Sequence, residues 1–175
     1  MFVLSQIFVV LSGIFFASTY IVKKRNLLLI LNILNNIFFG THFLLLKKLT
    51  AAYSIFLTII FLIAIFILEK LNKKQFSYIV SFICSIFCIL ITKFTWESNL
   101  SLMPMFAVLL IYISTILKNL LILKIGYYIS TVINTFYMLI IHSYFGFGVN
   151  ILILITATVG IIQCIAEMKS NKKSG

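Results

Sequence analysis

Long runs of Ile, Leu, Phe and Val alternate along the chain with short groups of Lys, Asn and Ser. A helix rises 1.5 Å per residue, so crossing roughly 30 Å of hydrocarbon takes about 20 mostly apolar residues. That length fits seven times, over residues 2–22, 27–46, 50–68, 76–92, 101–117, 120–141 and 146–166. The first run has no basic leading segment of the kind a cleavable signal peptide carries, so it is expected as a mature helix. The last two runs are divided only by inference. Residues 125–166 hold no charged side chain apart from a charge on His142, and as one helix they would be about twice as long as the bilayer is thick. A turn must interrupt them, and the close pair Gly146 and Gly148 places it within residues 142–148.

Composition turns this pattern into a class. The chain has 175 residues, 63% of them apolar and 10% charged, with a mean hydropathy of +1.21. Fourteen basic and three acidic side chains cannot coat a soluble globule of this size. Soluble enzymes are excluded on that ground. Nucleic-acid modules are excluded as well, because the formal charge of +11 is scattered between apolar runs and not gathered on one face. The expectation is an all-α, polytopic membrane bundle of seven transmembrane helices, residues 1–175 forming one integral membrane domain whose first partner is the lipid bilayer. The three cysteines, Cys84, Cys88 and Cys164, lie in apolar runs without disulfide or metal-ligand spacing. No cofactor and no metal are expected.

Lys and Arg accumulate in cytoplasmic loops. With the N-terminus outside, the cytoplasmic segments hold Lys23, Lys24, Arg25, Lys70, Lys73, Lys74, Lys118, Lys124, Lys169, Lys172 and Lys173, and the outer ones only Lys47, Lys48 and Lys93. Seven crossings then put the C-terminus in the cytoplasm. Helices one to three and five to seven become two triplets of the same orientation, two parallel three-helix repeats joined by a linker helix, which is a layout of transporters that bind solute near the midplane. An offset of 95 residues sets Lys23 on Lys118, Asn36 on Thr131 and His42 on Tyr137. Only eight positions from Phe2 to Leu68 are identical in that alignment, seven of them Ile or Leu. Chance supplies that many, so the repeat rests on topology.

The stretch from Asn36 to Ala52, with Gly40-Thr41-His42-Phe43-Leu44-Leu45-Leu46, resembles the YgjV family of small bacterial inner-membrane proteins. So do Ile129-Ser130-Thr131-Val132 through Gly146, and Leu102-Met103-Pro104 after a short polar loop. The resemblance covers most of the chain and implies a multi-pass protein of the bacterial inner (cytoplasmic) membrane. It brings no catalytic or binding residues with it. A wider likeness to the SWEET and PQ-loop transporters is architectural only: the Pro-Gln dipeptide is missing, and Pro104 has Val9 at the equivalent place of the first helix.

Polar residues inside the apolar runs are the candidate site. Taking Asn32 as 0°, Asn36, His42 and Asn35 project at about 40°, 280° and 300°, one stripe on the second helix. On the sixth, Ser130, Asn134 and Tyr137 fall within about 60° of one another. The functional reading is a solute site between the triplets, with Asn32, Asn35, Asn36, His42, Ser130, Asn134 and Tyr137 supplying hydrogen bonds. The plainer reading is that the same groups bond across helices for ~0.6 kcal/mol each. Asp is absent, and Glu69, Glu97 and Glu167 fall at helix ends or loops. Ion coupling through a buried carboxylate is therefore not expected. The expected function is passage of a small neutral or weakly polar solute, without enzymatic activity. The alternative is a non-transporting structural or assembly subunit, and a homo-oligomer is open in either case. A third class, an intramembrane thiol hydrolase, would need His42 to activate Cys84 or Cys88. Ser77, Ser81, Cys84, Ser85, Cys88 and Thr92 more simply form one small face for close helix packing.

Overall fold

The computed structural model describes residues 2–117 and 119–173, and among these leaves out the side chains of Phe2 and of residues 170–173. Three basic residues used above for orientation, Lys118, Lys172 and Lys173, lie outside the described side chains. The described chain is all helical: α1 (Phe2–Ile21), α2 (Arg25–Leu45), α3 (Leu49–Lys70), α4 (Ser77–Phe94), α5 (Leu102–Ile116), α6 (Leu120–Ile140) and α7 (Tyr144–Lys173). Short 3-10 turns, Lys74–Phe76 and Asn99–Ser101, lead into α4 and α5. With those turns included, all seven segments are long and apolar enough to cross a membrane. A helix satisfies every interior backbone group within itself, which is what a chain in hydrocarbon requires.

Helix ends are made without glycine. Lys47, Asn72 and His142 adopt φ values of 58°, 55° and 59°, each one residue past the cap of α2, α3 or α6. The next amide closes the turn: Lys48, Lys73 and Ser143 donate to the carbonyls of Phe43, Leu68 and Met138 at 2.9–3.0 Å. This double-bonded ending satisfies carbonyls that hydrocarbon would leave orphaned. The α6–α7 turn thus sits at His142, just before the glycine pair. Gly146 lies in the first turn of α7 against the Met138 thioether, where a Cβ would collide. Gly146 thus marks the neighbourhood of the turn through its packing, whereas a Cβ at Gly148 would meet open space.

Six helices close a ring in which each packs on its neighbours, α1–α2–α3–α5–α6–α7 and back to α1. This order puts α2 across the ring from α6. The remaining helix, α4, packs outside against α3 and α5. Its inner face carries Cys84 and Cys88, which join Phe61, Leu62, Met105 and Tyr112 in one apolar cluster. A second cluster, built on Phe16, Tyr20, Leu123 and Tyr127, fills the ring toward the lysine-rich end where α1 and α5 finish. A third, built on Val9, Phe43, Ala51, Tyr137 and Met138, fills it toward the opposite end.

Four bounds of α1–α3 share one offset with bounds of α5–α7, although the start of α1 and the end of α3 do not. Ile21 and Ile116 end α1 and α5, Arg25 and Leu120 begin α2 and α6, Leu45 and Ile140 end them, and Leu49 and Tyr144 begin α3 and α7. Each pair is 95 residues apart, as are the left-handed residues Lys47 and His142.

Candidate functional site

Between the second and third clusters lies a central cavity of about 30 Å³. That is room for about two waters. Every ring helix contributes to its wall: Ser12 and Phe16 from α1, Asn35, Asn36 and Phe39 from α2, Ile55 from α3, Pro104, Val108 and Ile111 from α5, Ser130, Thr131 and Asn134 from α6, Asn150 and Ile153 from α7. Ten of these fourteen form five pairs at the 95-residue offset: Phe16 and Ile111, Asn35 and Ser130, Asn36 and Thr131, Phe39 and Asn134, Ile55 and Asn150.

The two halves of this wall differ in how their polar groups are used. On the α1–α2 side they bond to one another. Ser12 Oγ donates to Asn35 Oδ1 at 2.7 Å, Asn35 Nδ2 donates to Asn32 Oδ1 at 3.3 Å, and Asn36 Nδ2 donates to Asn32 Oδ1 at 2.6 Å and to its carbonyl at 2.7 Å. On the α6–α7 side Thr131 bonds back to the Tyr127 carbonyl, whereas Ser130, Asn134 and Asn150 have no side-chain partner among the described residues. The Asn150 amide nitrogen is buried with no acceptor. Buried polar groups are nearly always paired, so a cluster of unpaired ones facing a cavity marks a place for a ligand or water.

Of the seven residues expected at the site, Asn35, Asn36, Ser130 and Asn134 line the cavity. Asn32 stands behind the wall as the acceptor that fixes Asn35 and Asn36. His42 and Tyr137 are buried outside the wall, nearer the end opposite the lysines. His42 Nδ1 lies 2.9 Å from the Ser5 carbonyl and 2.8 Å from its hydroxyl oxygen. A carbonyl only accepts, so Nδ1 carries the proton, and the ring ties α2 to α1. Tyr137 packs on Phe43 with ring centroids 5.7 Å apart. Helical angle sets a residue's face but not its depth, and these two share the right face one or two turns away. Ser12 and Asn150 were not anticipated. Asn150 has a legible signal: it is the first carboxamide after the turn in an otherwise apolar run.

Aromatic side chains pack toward both ends of the cavity. Toward the lysines, Phe16 packs on Tyr20 and Tyr127 at 5.7 and 5.9 Å between centroids. Toward the other end, Phe39 and Phe43 pack at 4.8 Å. Each carboxylate of the chain is engaged elsewhere: Glu69 with Arg25 at 2.8 Å, Glu97 with Lys48 at 3.3 Å, Glu167 with Lys23 at 2.6 Å. Cys84 and Cys88 belong to the α3–α4–α5 cluster and His42 is held by α1. No group of three His, Cys, Asp or Glu side chains able to hold a metal occurs among the described residues.

Seven apolar helices, six of them around a small, largely apolar cavity with a few polar groups in its wall, define a multi-pass integral membrane protein. The chain belongs to the Imp-YgjV family of bacterial inner membrane proteins, whose model matches residues 3–168. No curated protein and no solved structure matches it.

Proposed function

We propose that this protein is a small facilitator that passes a neutral or weakly polar solute through the ring, with the central cavity as the solute site caught in its closed state. The observation that carries the reading is the set of unpaired groups on Ser130, Asn134 and Asn150, facing a wall on α1–α2 whose Ser12, Asn35 and Asn36 are bonded within a network, with the Asn32 amide nitrogen behind them left without an acceptor. Free amides and a hydroxyl offer donors and acceptors together, which suits hydroxyl, amide or carbonyl groups of an uncharged solute. A cavity of about 30 Å³ holds no metabolite as it stands. A solute passes only when the aromatic plugs part, so the reading requires alternating opening of the two ends.

The 95-residue offset shared by four pairs of helix bounds and by the five wall pairs supports two quasi-equivalent triplets, α1–α3 and α5–α7, bridged by α4, with the cavity on the axis between them. The basic residues at one end support an orientation with the N-terminus outside and the C-terminus cytoplasmic. A catalyst is not proposed, since the thiols and the imidazole sit in separate clusters.

The test is solute flux into liposomes reconstituted with the protein, followed by light scattering with a panel of small polyols, amides and amino acids. Wild-type protein is expected to speed entry of at least one solute over protein-free liposomes. Asn134→Leu with Asn150→Leu is expected to lower that rate by about tenfold or more, the effect of losing about two hydrogen bonds to the solute. Flux equal to that of empty liposomes across the panel favours a subunit that only packs against a partner, and a double variant as fast as a transporting wild type removes Asn134 and Asn150 from the solute site.

A further inference from the structure

The lysine-rich end treats its two quasi-equivalent corners differently. In one, the Arg25 guanidinium donates to the carbonyls of Thr115, at 2.5 Å, and Leu117, at 3.1 Å, where α5 ends in an extended residue without a turn of its own. Its charge is met by Glu69 of α3 at 2.8 Å. In the other, the cation is Lys124, whose Nζ donates to the carbonyl of Tyr20 at 2.7 Å. Tyr20 stands 95 residues before Thr115, so the two cations cap equivalent carbonyls at the ends of α1 and α5. The residue 95 beyond Glu69 is Cys164. The second corner has the cation without the carboxylate.

No other carboxylate side chain takes its place. The chain has three acidic residues, each paired with a different cation. Lys124 is 3% exposed and its ammonium has three N–H donors, of which one is used. An ionisable group inside a membrane protein is expected to have a partner. What the corner has instead is a cavity of about 330 Å³, lined by Lys124 and Cys164 together with Lys23, Asn119, Gln163 and Glu167; the Glu167 carboxylate is held by Lys23 at 2.6 Å and makes no bond to Lys124, so the wall keeps one cation in excess. Gly160 lets α7 approach α1 there, since a Cβ at that position would lie 2.6 Å from the Tyr20 carbonyl oxygen. The mouth is bordered by Ile21 and Met168, both exposed.

We propose that this second cavity binds an oxyanion of the phosphate type, whose oxygens take the place that the Glu69 carboxylate fills beside Arg25. Lys124 supplies the buried charge, and Asn119 and Gln163 supply neutral donors at the wall. The source is either the headgroup of an anionic phospholipid, its chains lying along the apolar mouth, or free inorganic phosphate. Binding here is read without any flux, so its failure would leave the central cavity's proposed role untouched.

The experiment uses the full chain in nanodiscs of phosphatidylcholine and follows thermal unfolding as phosphatidylglycerol is introduced into the disc or inorganic phosphate into the buffer. A ligand that binds only the folded protein raises the midpoint. The wild-type midpoint is expected to rise with at least one of the two. A rise with phosphatidylglycerol alone identifies a lipid, and a rise with phosphate alone identifies the free ion. In Lys124→Gln the apparent affinity is expected to fall about tenfold or more, the loss of one charge-assisted contact. Cys164→Glu restores an internal carboxylate, so it is expected to unfold at a higher temperature in phosphatidylcholine alone and to gain nothing from either ligand. Wild-type protein indifferent to both ligands would overturn the proposal. So would a Cys164→Glu variant that still responds as strongly as wild type, whether or not Lys124→Gln folds.

Discussion

The two halves of the central cavity carry similar residue types and use them in opposite ways. On α1–α2, three asparagines and a serine bond to one another, and the unpaired amide nitrogen of Asn32 lies behind the wall, not on it. On α6–α7, Asn134 and Asn150 occupy the positions that Phe39 and Ile55 hold in the first triplet, and no neighbour satisfies them. The comparison teaches that an intramembrane amide is read by what it bonds and not by its presence. The first half is a fixed wall; the second is the face on which a solute would be recognised. The lysine-rich end repeats the contrast, with Arg25 fully engaged and Lys124 partly so.

Breaking the engaged member of each pair should cost stability, and breaking the free member should not. The largest expected effect on folding is at Arg25. Its replacement by Ala leaves the mostly buried Glu69 carboxylate and two helix-end carbonyls without a partner, and removing one side of such a pair costs roughly 3 kcal/mol. Lys124→Gln keeps a donor for the Tyr20 carbonyl and removes an unpaired charge, so in phosphatidylcholine alone it should cost no more than ~0.5 kcal/mol. Chemical unfolding of both variants in the same lipid checks the difference. Equal losses would erase the contrast between the corners.

A smaller separation is expected within the cavity. Asn35→Leu orphans the Ser12 hydroxyl and one lobe of Asn32, for a cost of about 2 kcal/mol. Asn150→Leu removes an amide that bonds nothing and should leave stability within ~0.5 kcal/mol of wild type, or slightly improved. The same unfolding measurement serves, and a reversed order would show that the α6–α7 groups are the structural ones.

Much of this was legible beforehand, for physical reasons that also mark where legibility stops. Run length against bilayer thickness located the helices, because hydrocarbon tolerates few alternatives to a helix of that length. α7 continues to Lys173, past the expected end at 166, because a helix leaving the bilayer need not stop at its surface. Angular position put Asn35, Asn36, Ser130 and Asn134 on inward faces. It gave no depth, which is why His42 and Tyr137 appeared with them although they pack nearer one end. Nor does spacing reveal which amides pair with each other: Asn32 shares the stripe with Asn35 and Asn36, but its role is to hold them. Residue identity gives no sign of the proposed repeat, and the support for it comes from four pairs of helix bounds at one offset, since apolar side chains facing lipid exchange freely while turn positions do not.

Solute passage requires that the cavity open to water and not be a sealed packing defect. Ser130, buried on its wall, reports this directly when replaced by Cys in a chain whose Cys84, Cys88 and Cys164 are changed to Ala. With the protein in sealed liposomes, a small water-soluble methanethiosulfonate reagent is supplied from one side and then, in a separate sample, from the other. Modification from both sides, slowed by the solute that the liposomes transport, is the predicted result. A thiol at position 130 left unmodified from either side in a folded protein would contradict it.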